Sequence, residues 1–179
     1  MLINWPWSKT YTHKCPDGGI IIIHKNIEYA LPLAIKDVNS SINTDIKAKG
    51  QAVAKLKAEY ASKVTGLLYN IDEQNKSLLL SFRLSYLAFQ SNPCDDKGFL
   101  KRQAELLTEG QQRLIELKMK ISGLITLAET FPSEPDKILP VYNDILTQMS
   151  GINVTEAVKL ALKENRESAK KWIQGGNNG

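Results

Sequence analysis

Apolar residues recur at helical spacing through the first half of the chain. Over residues 35–89 they lie three or four positions apart, as on one face of an amphipathic α-helix. Three sets of these positions advance in steps of eleven, and only Asp45, Lys49 and Asn75 within the sets are polar. Because eleven residues make three turns of a nearly straight helix, the pattern predicts one continuous helix over about residues 32–91.

Two glycines, Gly50 and Gly66, lie inside this predicted helix and are its expected bend points. A helix broken at Gly50 is the alternative interpretation. A continuous helix would be about 85 Å long at a rise of about 1.5 Å per residue. The helix that follows is too short to cover all of it, so part of the apolar stripe would be exposed unless another chain covered it.

Shorter helices are expected after the prolines and glycines that interrupt the remaining sequence. Pro93 ends the long helix, and apolar residues seven apart from Leu107 to Ala128 predict a second helix over about 96–130. The short connection predicts antiparallel packing against the long helix. A short helix is predicted over 136–149, and a last one over about 153–173 that begins with a capping box.

The first 26 residues have a different pattern, which predicts a β-hairpin. Pro16-Asp17-Gly18-Gly19 is a turn sequence, and it separates a Thr- and Tyr-rich stretch from four consecutive isoleucines. A four-residue loop would place Cys15 opposite Ile20, His13 opposite Ile22 and Tyr11 opposite His24; a three-residue loop shifts this register by one. Trp5 and Trp7 are expected to anchor the arm on the helices.

The predicted fold is therefore mainly α, a long-helix antiparallel helical bundle of about four helices with a small N-terminal β-hairpin arm. The arm comprises residues 1–26, the bundle residues 27–174, and residues 175–179 form a Gly- and Asn-rich flexible tail.

Composition is typical of a soluble globular protein, with 42% apolar and 23% charged residues and a net charge of +4. The start of the chain has no apolar run typical of a secretory signal, and no segment is long and apolar enough to span a membrane. Two cysteines, Cys15 and Cys94, are too few for a disulfide framework and suit a reducing compartment. We therefore expect a cytoplasmic protein.

His13, Cys15 and His24 could share one face of the hairpin, and Zn²⁺ takes such ligands. A closed zinc site needs a fourth ligand, and Cys94 is the only other soft ligand in the chain. Their spacing matches no zinc motif, so we expect no metal site, and both cysteines are expected to be inert thiols.

No motif for catalysis or for cofactor binding is present. The chain has no glycine-rich phosphate loop, dinucleotide fingerprint or nucleophile elbow. Both histidines lie in the arm, so the helical body has none to act as a base near neutral pH. Acidic residues alternate with lysines, and no segment is strongly basic. We expect neither enzymatic activity nor a cofactor, and we do not expect nucleic-acid binding.

The function expected from these features is that of a non-catalytic helical module for protein interaction, scaffolding or regulation. Its partner would be another protein or a second copy of the chain, so a homo-oligomer is expected. The alternative is a membrane-active helical toxin or conflict-system effector domain, in which the apolar segment 78–89 becomes exposed on activation.

Overall fold

The elements follow the predicted order of a hairpin and then helices. The computed structural model describes residues 8–31, 33–95 and 98–150. The strands are β1 (Thr10–Lys14) and β2 (Ile20–His24), and the helices are α1 (Leu33–Val53), α2 (Ala58–Ser91), α3 (Phe99–Thr130) and α4 (Pro135–Ser150). Short 3₁₀ helices at Ile27–Ala30 and Pro93–Asp95 precede α1 and α3 respectively.

The helices pack against one another around one apolar core, which confirms the mainly α fold with a β-hairpin arm. Leu78 of α2 lies against Gly110 of α3, while Val64, earlier in α2, shares a small cavity with Leu124, later in α3. Residue numbers therefore rise in one helix as they fall in the other. The antiparallel packing predicted for this pair is confirmed.

The single helix predicted over 32–91 is wrong, because the chain leaves helical geometry at residues 54–57. Hydrogen bonds from Lys55 to Ala52 and from Leu56 to Val53 tighten the end of α1, and Lys57 is extended, with ψ of 145°. The alternative break at Gly50 is close, but Gly50 itself still lies within α1. α1 folds back beside α2, where Asn39 contacts Asn75.

This fold-back buries the apolar stripe that a continuous helix would have exposed. Ile42 in α1 and Tyr60, Ile71 and Phe82 in α2 are all buried in the shared core. Exposure of this stripe was the reason for expecting association along the long helix. An interaction surface therefore has to be sought elsewhere on the molecule.

The hairpin has the shorter of the two loops considered. Tyr11 pairs with Ile23, His13 with Ile21 and Lys14 with Ile20, so the four-residue-loop register is wrong and the three-residue loop is present. A backbone hydrogen bond from Cys15 to Gly19 closes the loop. Gly18 has φ of 90°, a left-handed conformation that glycine adopts without strain.

The later helices agree with the sequence pattern where the structure describes them. α3 ends at Thr130 as predicted, and α4 differs from its predicted bounds by one residue at each end. The predicted roles of Trp5 and Trp7, the predicted helix over 153–173 and the predicted tail all lie outside the described residues.

Candidate functional site: the anchored hairpin

The two faces of the hairpin have different environments. In a strand, alternate side chains point to opposite faces. On the inner face Ile23 is fully buried and Cys15 nearly so, whereas on the outer face Ile20 and Ile22 are 56% and 64% exposed. The hairpin is therefore packed on one side and presents two large apolar side chains on the other.

A disulfide bond between Cys15 and Cys94 anchors the loop end of the hairpin. The two Cα atoms lie 5.7 Å apart, and the bond joins the end of β1 to the 3₁₀ helix between α2 and α3. The expectation that both cysteines are inert thiols is thus wrong for this structure, whereas the expected reducing compartment stays a prediction. The pairing depends on a contact between residues 79 positions apart, which composition does not reveal.

The opposite end of the hairpin is anchored by hydrogen bonds to α2. The His24 backbone N–H donates to the Tyr86 hydroxyl oxygen at 2.9 Å, and the Gln90 side-chain amide donates to the His24 carbonyl at 2.7 Å. Burial raises the pKa of Tyr86 above its ordinary value, although the bond from His24 acts in the opposite direction. The hydroxyl therefore stays protonated near neutral pH and serves as a fixed acceptor.

An ion pair holds the segment that follows the hairpin. The Arg83 guanidinium of α2 donates to the Glu28 carboxylate at 2.7 Å. Both residues line a groove of about 300 Å³ that also includes Tyr29, Lys36 and Asn39. Lys36 lies over the Tyr29 ring at 5.5 Å. The charges lining this groove are thus largely matched, and the groove holds no nucleophile and base in contact.

The histidine and cysteine grouping considered from sequence is only partly present. His24 pairs with Thr10, which places its side chain on the outer face, away from His13 and Cys15. Cys94 replaces His24 in the group, because the ligand atoms of His13, Cys15 and Cys94 all lie within 4.8 Å of one another. The hairpin and the α2–α3 connection therefore bring one imidazole to two sulfur atoms.

Among the described residues, none pairs with the outer edge of β2 between its two anchors. Bonded and non-bonded residue pairs alternate along an antiparallel ladder, and the bonded pairs here include Cys15 with Gly19 and Lys9 with Lys25. Ile20 and Ile22 consequently direct their backbone N–H and C=O groups away from β1. Within the described part of the chain, no residue hydrogen-bonds to these outward groups.

Among the described residues, no helix has the length and apolar character needed to cross a membrane. The apolar segment 78–89 belongs to α2, where Phe82 and Tyr86 are buried and Phe89 packs against the core. These aromatic side chains have a packing role in this structure.

Comparison with known proteins gives no relative: no family model, no curated protein and no solved structure matches the chain.

Proposed function

We propose that this protein is a non-catalytic interaction module and that the anchored hairpin is its binding element. The observation that carries the proposal is the exposure of Ile20 and Ile22 beside an open strand edge. Contact between apolar side chains across a new strand pair contributes about 0.2–1 kcal/mol per pair. Open edges also pair readily with further strands, which is why proteins usually shorten, charge or cover them.

The partner that best fits this edge is a second copy of the same chain. Residues 20–23 carry no charge, so two copies of β2 can meet without repulsion between like charges. In an antiparallel pairing, Ile20 of one protomer lies opposite Ile22 of its partner, and each such pair exchanges two backbone hydrogen bonds. This register satisfies the outward groups of both isoleucines and leaves the His24 bonds to α2 intact.

Such a pairing is symmetric and closed. A two-fold axis beside Ile21 relates the protomers, so the same surface is used on both and no further copy can add at that edge. The result is a four-stranded sheet with an isoleucine cluster on its outer face. Sheets of this size are more stable than isolated two-stranded hairpins, which gives self-association a physical driving force.

Sedimentation velocity on the full chain over a concentration series tests the proposal. We expect the wild type to dimerise and Ile22→Lys to be monomeric, because the variant places lysine ammonium groups close together across the new strand pair. Met119→Lys is the matched control, since Met119 is 68% exposed on α3 and away from the hairpin. Far-UV circular dichroism checks that each variant keeps its helices.

Two results would contradict the proposed self-association. One is a wild-type protein that stays monomeric at concentrations near 1 mM, which would make any association too weak to matter. The other is an Ile22→Lys variant that associates as strongly as the wild type.

The disulfide bears on the predicted cytoplasmic location, which stays a prediction. Disulfides persist in oxidising compartments, whereas glutathione and thioredoxin keep cytosolic thiols reduced. A chain isolated from its native cells and treated at once with a thiol-alkylating reagent reports the state of Cys15 and Cys94. A fully alkylated pair would support the cytoplasm, and an unmodified pair would support an oxidising compartment.

A further inference from the structure

One histidine and two cysteines meet where the hairpin joins the α2–α3 connection. His13 of β1 and Cys15, which directly follows β1, lie two residues apart and therefore share the inner face of the hairpin, while Cys94 approaches from the 3₁₀ helix. Their ligand atoms lie within 4.8 Å of one another, although Cys94 is 79 residues from Cys15 in the chain. This arrangement is a consequence of the tertiary fold and not of a local motif.

We propose that, when the Cys15–Cys94 disulfide is reduced, these two thiolates and the His13 imidazole form a Zn²⁺ site. Zinc takes thiolate sulfur and imidazole nitrogen, and sites with three protein ligands complete a tetrahedral shell with water. The inference goes beyond the proposed self-association and does not depend on it.

The chemistry balances with a dithiol as the reductant. The dithiol supplies two electrons and two protons, the bond between the Cys15 and Cys94 sulfurs breaks, two thiols form, and the reductant becomes a cyclic disulfide. Zinc then replaces the two thiol protons, which pass to solvent, and the imidazole of His13 donates its nitrogen lone pair in its neutral form.

The positions of the three residues suit this coordination. Tetrahedral bonds of about 2.3 Å place two zinc-bound sulfurs about 3.8 Å apart. The Cα atoms of Cys15 and Cys94 are 5.7 Å apart, so rotation of the two side chains can bring their sulfurs to this separation. His13 is exposed, whereas Cys15 is buried, so the ion would enter from solvent on the His13 side.

The site would make the attachment of the hairpin independent of redox state. A covalent bond joins β1 to the α2–α3 connection in the oxidised chain, and a zinc ion would join the same elements in the reduced chain. Tyr86 and Gln90 hold the other end of the hairpin in either case. The hairpin would thus keep its position on the bundle in both states.

Metal binding by the full chain tests the inference. The protein is reduced, the reductant is removed under anaerobic conditions, and Zn²⁺ is titrated in competition with a chromophoric chelator. In a separate titration, the charge-transfer absorption of bound Co²⁺ reports thiolate coordination. We expect one Zn²⁺ per reduced chain, a tetrahedral cobalt spectrum, and no binding by the oxidised chain.

The two histidines provide a matched pair of variants. His13→Ala removes a ligand and should weaken zinc binding by at least about tenfold, whereas His24→Ala, on the opposite face of the hairpin, should leave binding unchanged. His13 is exposed, so its replacement should not unfold the protein, and circular dichroism verifies this. The inference is overturned if the reduced wild type takes up no Zn²⁺, or if His13→Ala and His24→Ala bind it equally.

Discussion

The Asn75 side chain of α2 donates a hydrogen bond of 2.6 Å to the side-chain oxygen of Asn39 in α1. Gln111 of α3 donates to the Asn75 oxygen at 3.2 Å, so one buried amide joins three helices. Asn75 is nearly inaccessible to solvent and is surrounded by apolar core residues. Because sliding one helix along its axis would separate these groups, the network favours the observed alignment of the three helices.

Replacing Asn75 with alanine should be strongly destabilising. The variant leaves the Gln111 amide without its acceptor in the core, and a buried polar group without a partner costs about 1–3 kcal/mol. We expect the free energy of unfolding to fall by about 2–3 kcal/mol in urea denaturation. Asn70→Ala, at an exposed position of the same helix, should change it by less than about 0.5 kcal/mol. Equal losses in the two variants would show that the network is unimportant.

The same network explains a polar position that interrupted the apolar pattern in the sequence. Asp45, Lys49 and Asn75 were the exceptions in the eleven-residue sets, and each has a specific partner. Lys49 pairs with Asp45, and Lys118 of α3 lies 3.7 Å from the same carboxylate. The positions predicted to face the core are thus correct even where their residues are polar. The Lys49–Asp45 pair follows from a four-residue spacing within α1, whereas the contacts of Asn75 with Asn39 and of Asp45 with Lys118 depend on how the helices approach and were not predictable.

Helical continuity was predicted wrongly because periodicity does not measure it. Val53, Leu56 and Tyr60 keep the apolar phase across the break, and all of them pack in the shared core. A connection that turns back while keeping these side chains inside has the same pattern as a continuous helix. Residues 54–57 contain neither proline nor glycine, so no local signal marked the break.

Ala58→Pro distinguishes a break from a continuous helix. Ala58 is the first residue of α2, where a backbone N–H has no acceptor within the helix, and Lys57 already has the extended conformation that precedes proline. We expect Ala58→Pro to change the free energy of unfolding by no more than about 1 kcal/mol. Ser62→Pro, exposed within α2, should cost about 3 kcal/mol. A loss of that size at Ala58 would contradict the break.

Close packing between α2 and α3 depends on a glycine. A Cβ atom at Gly110 would lie 2.6 Å from Leu78 Cδ1, which is closer than carbon atoms approach without strain. At Gly123 of the same helix, such a Cβ would lie more than 4 Å from the packed atoms of other described residues. The helix propensity of alanine favours both substitutions by about 1 kcal/mol, so packing decides the difference.

We therefore expect Gly110→Ala and Gly123→Ala to change the free energy of unfolding in opposite directions. Gly110→Ala should lower the free energy of unfolding by about 1–3 kcal/mol through overpacking, whereas Gly123→Ala should raise it by up to about 1 kcal/mol. In the double variant Gly110→Ala/Leu78→Ala, the loss should be smaller than the sum of the losses in the two single variants, because Leu78→Ala removes the side chain that clashes. Thermal denaturation of Gly110→Ala, Gly123→Ala, Leu78→Ala and the double variant measures these effects. Strictly additive losses in the double variant would show that Leu78 is not the obstacle.

The disulfide marks the limit of sequence interpretation at the candidate site. The distinct pattern of the first 26 residues predicted the hairpin and the grouping of His13 with Cys15. It placed His24 in that group, which the shorter loop moves to the opposite face. Cys94 was considered from sequence only as the remaining soft ligand. Its position beside Cys15 follows from the path of α2, whose C-terminal end hydrogen-bonds to the hairpin through Tyr86 and Gln90 and leads into the 3₁₀ helix.

The Tyr86 hydroxyl should make attachment of the hairpin sensitive to alkaline pH. Burial raises its pKa above the unfolded value of about 10, so above that pH the unfolded chain releases a proton that the folded chain still holds. The contribution of the protonated Tyr86 hydroxyl to the free energy of unfolding is therefore complete below about pH 10, and it is lost as the pH rises through the pKa of Tyr86 in the folded chain.

Tyr86→Phe removes both this titration and the acceptor for the His24 N–H. We expect faster amide exchange at His24 at neutral pH, a loss of about 1 kcal/mol in stability, and a shallower decline in stability above pH 10 than in the wild type. Tyr69→Phe, at an exposed position of α2, should behave as the wild type in all three respects. If the alkaline decline is equally steep in Tyr86→Phe and in the wild type, the Tyr86 hydroxyl is not its source.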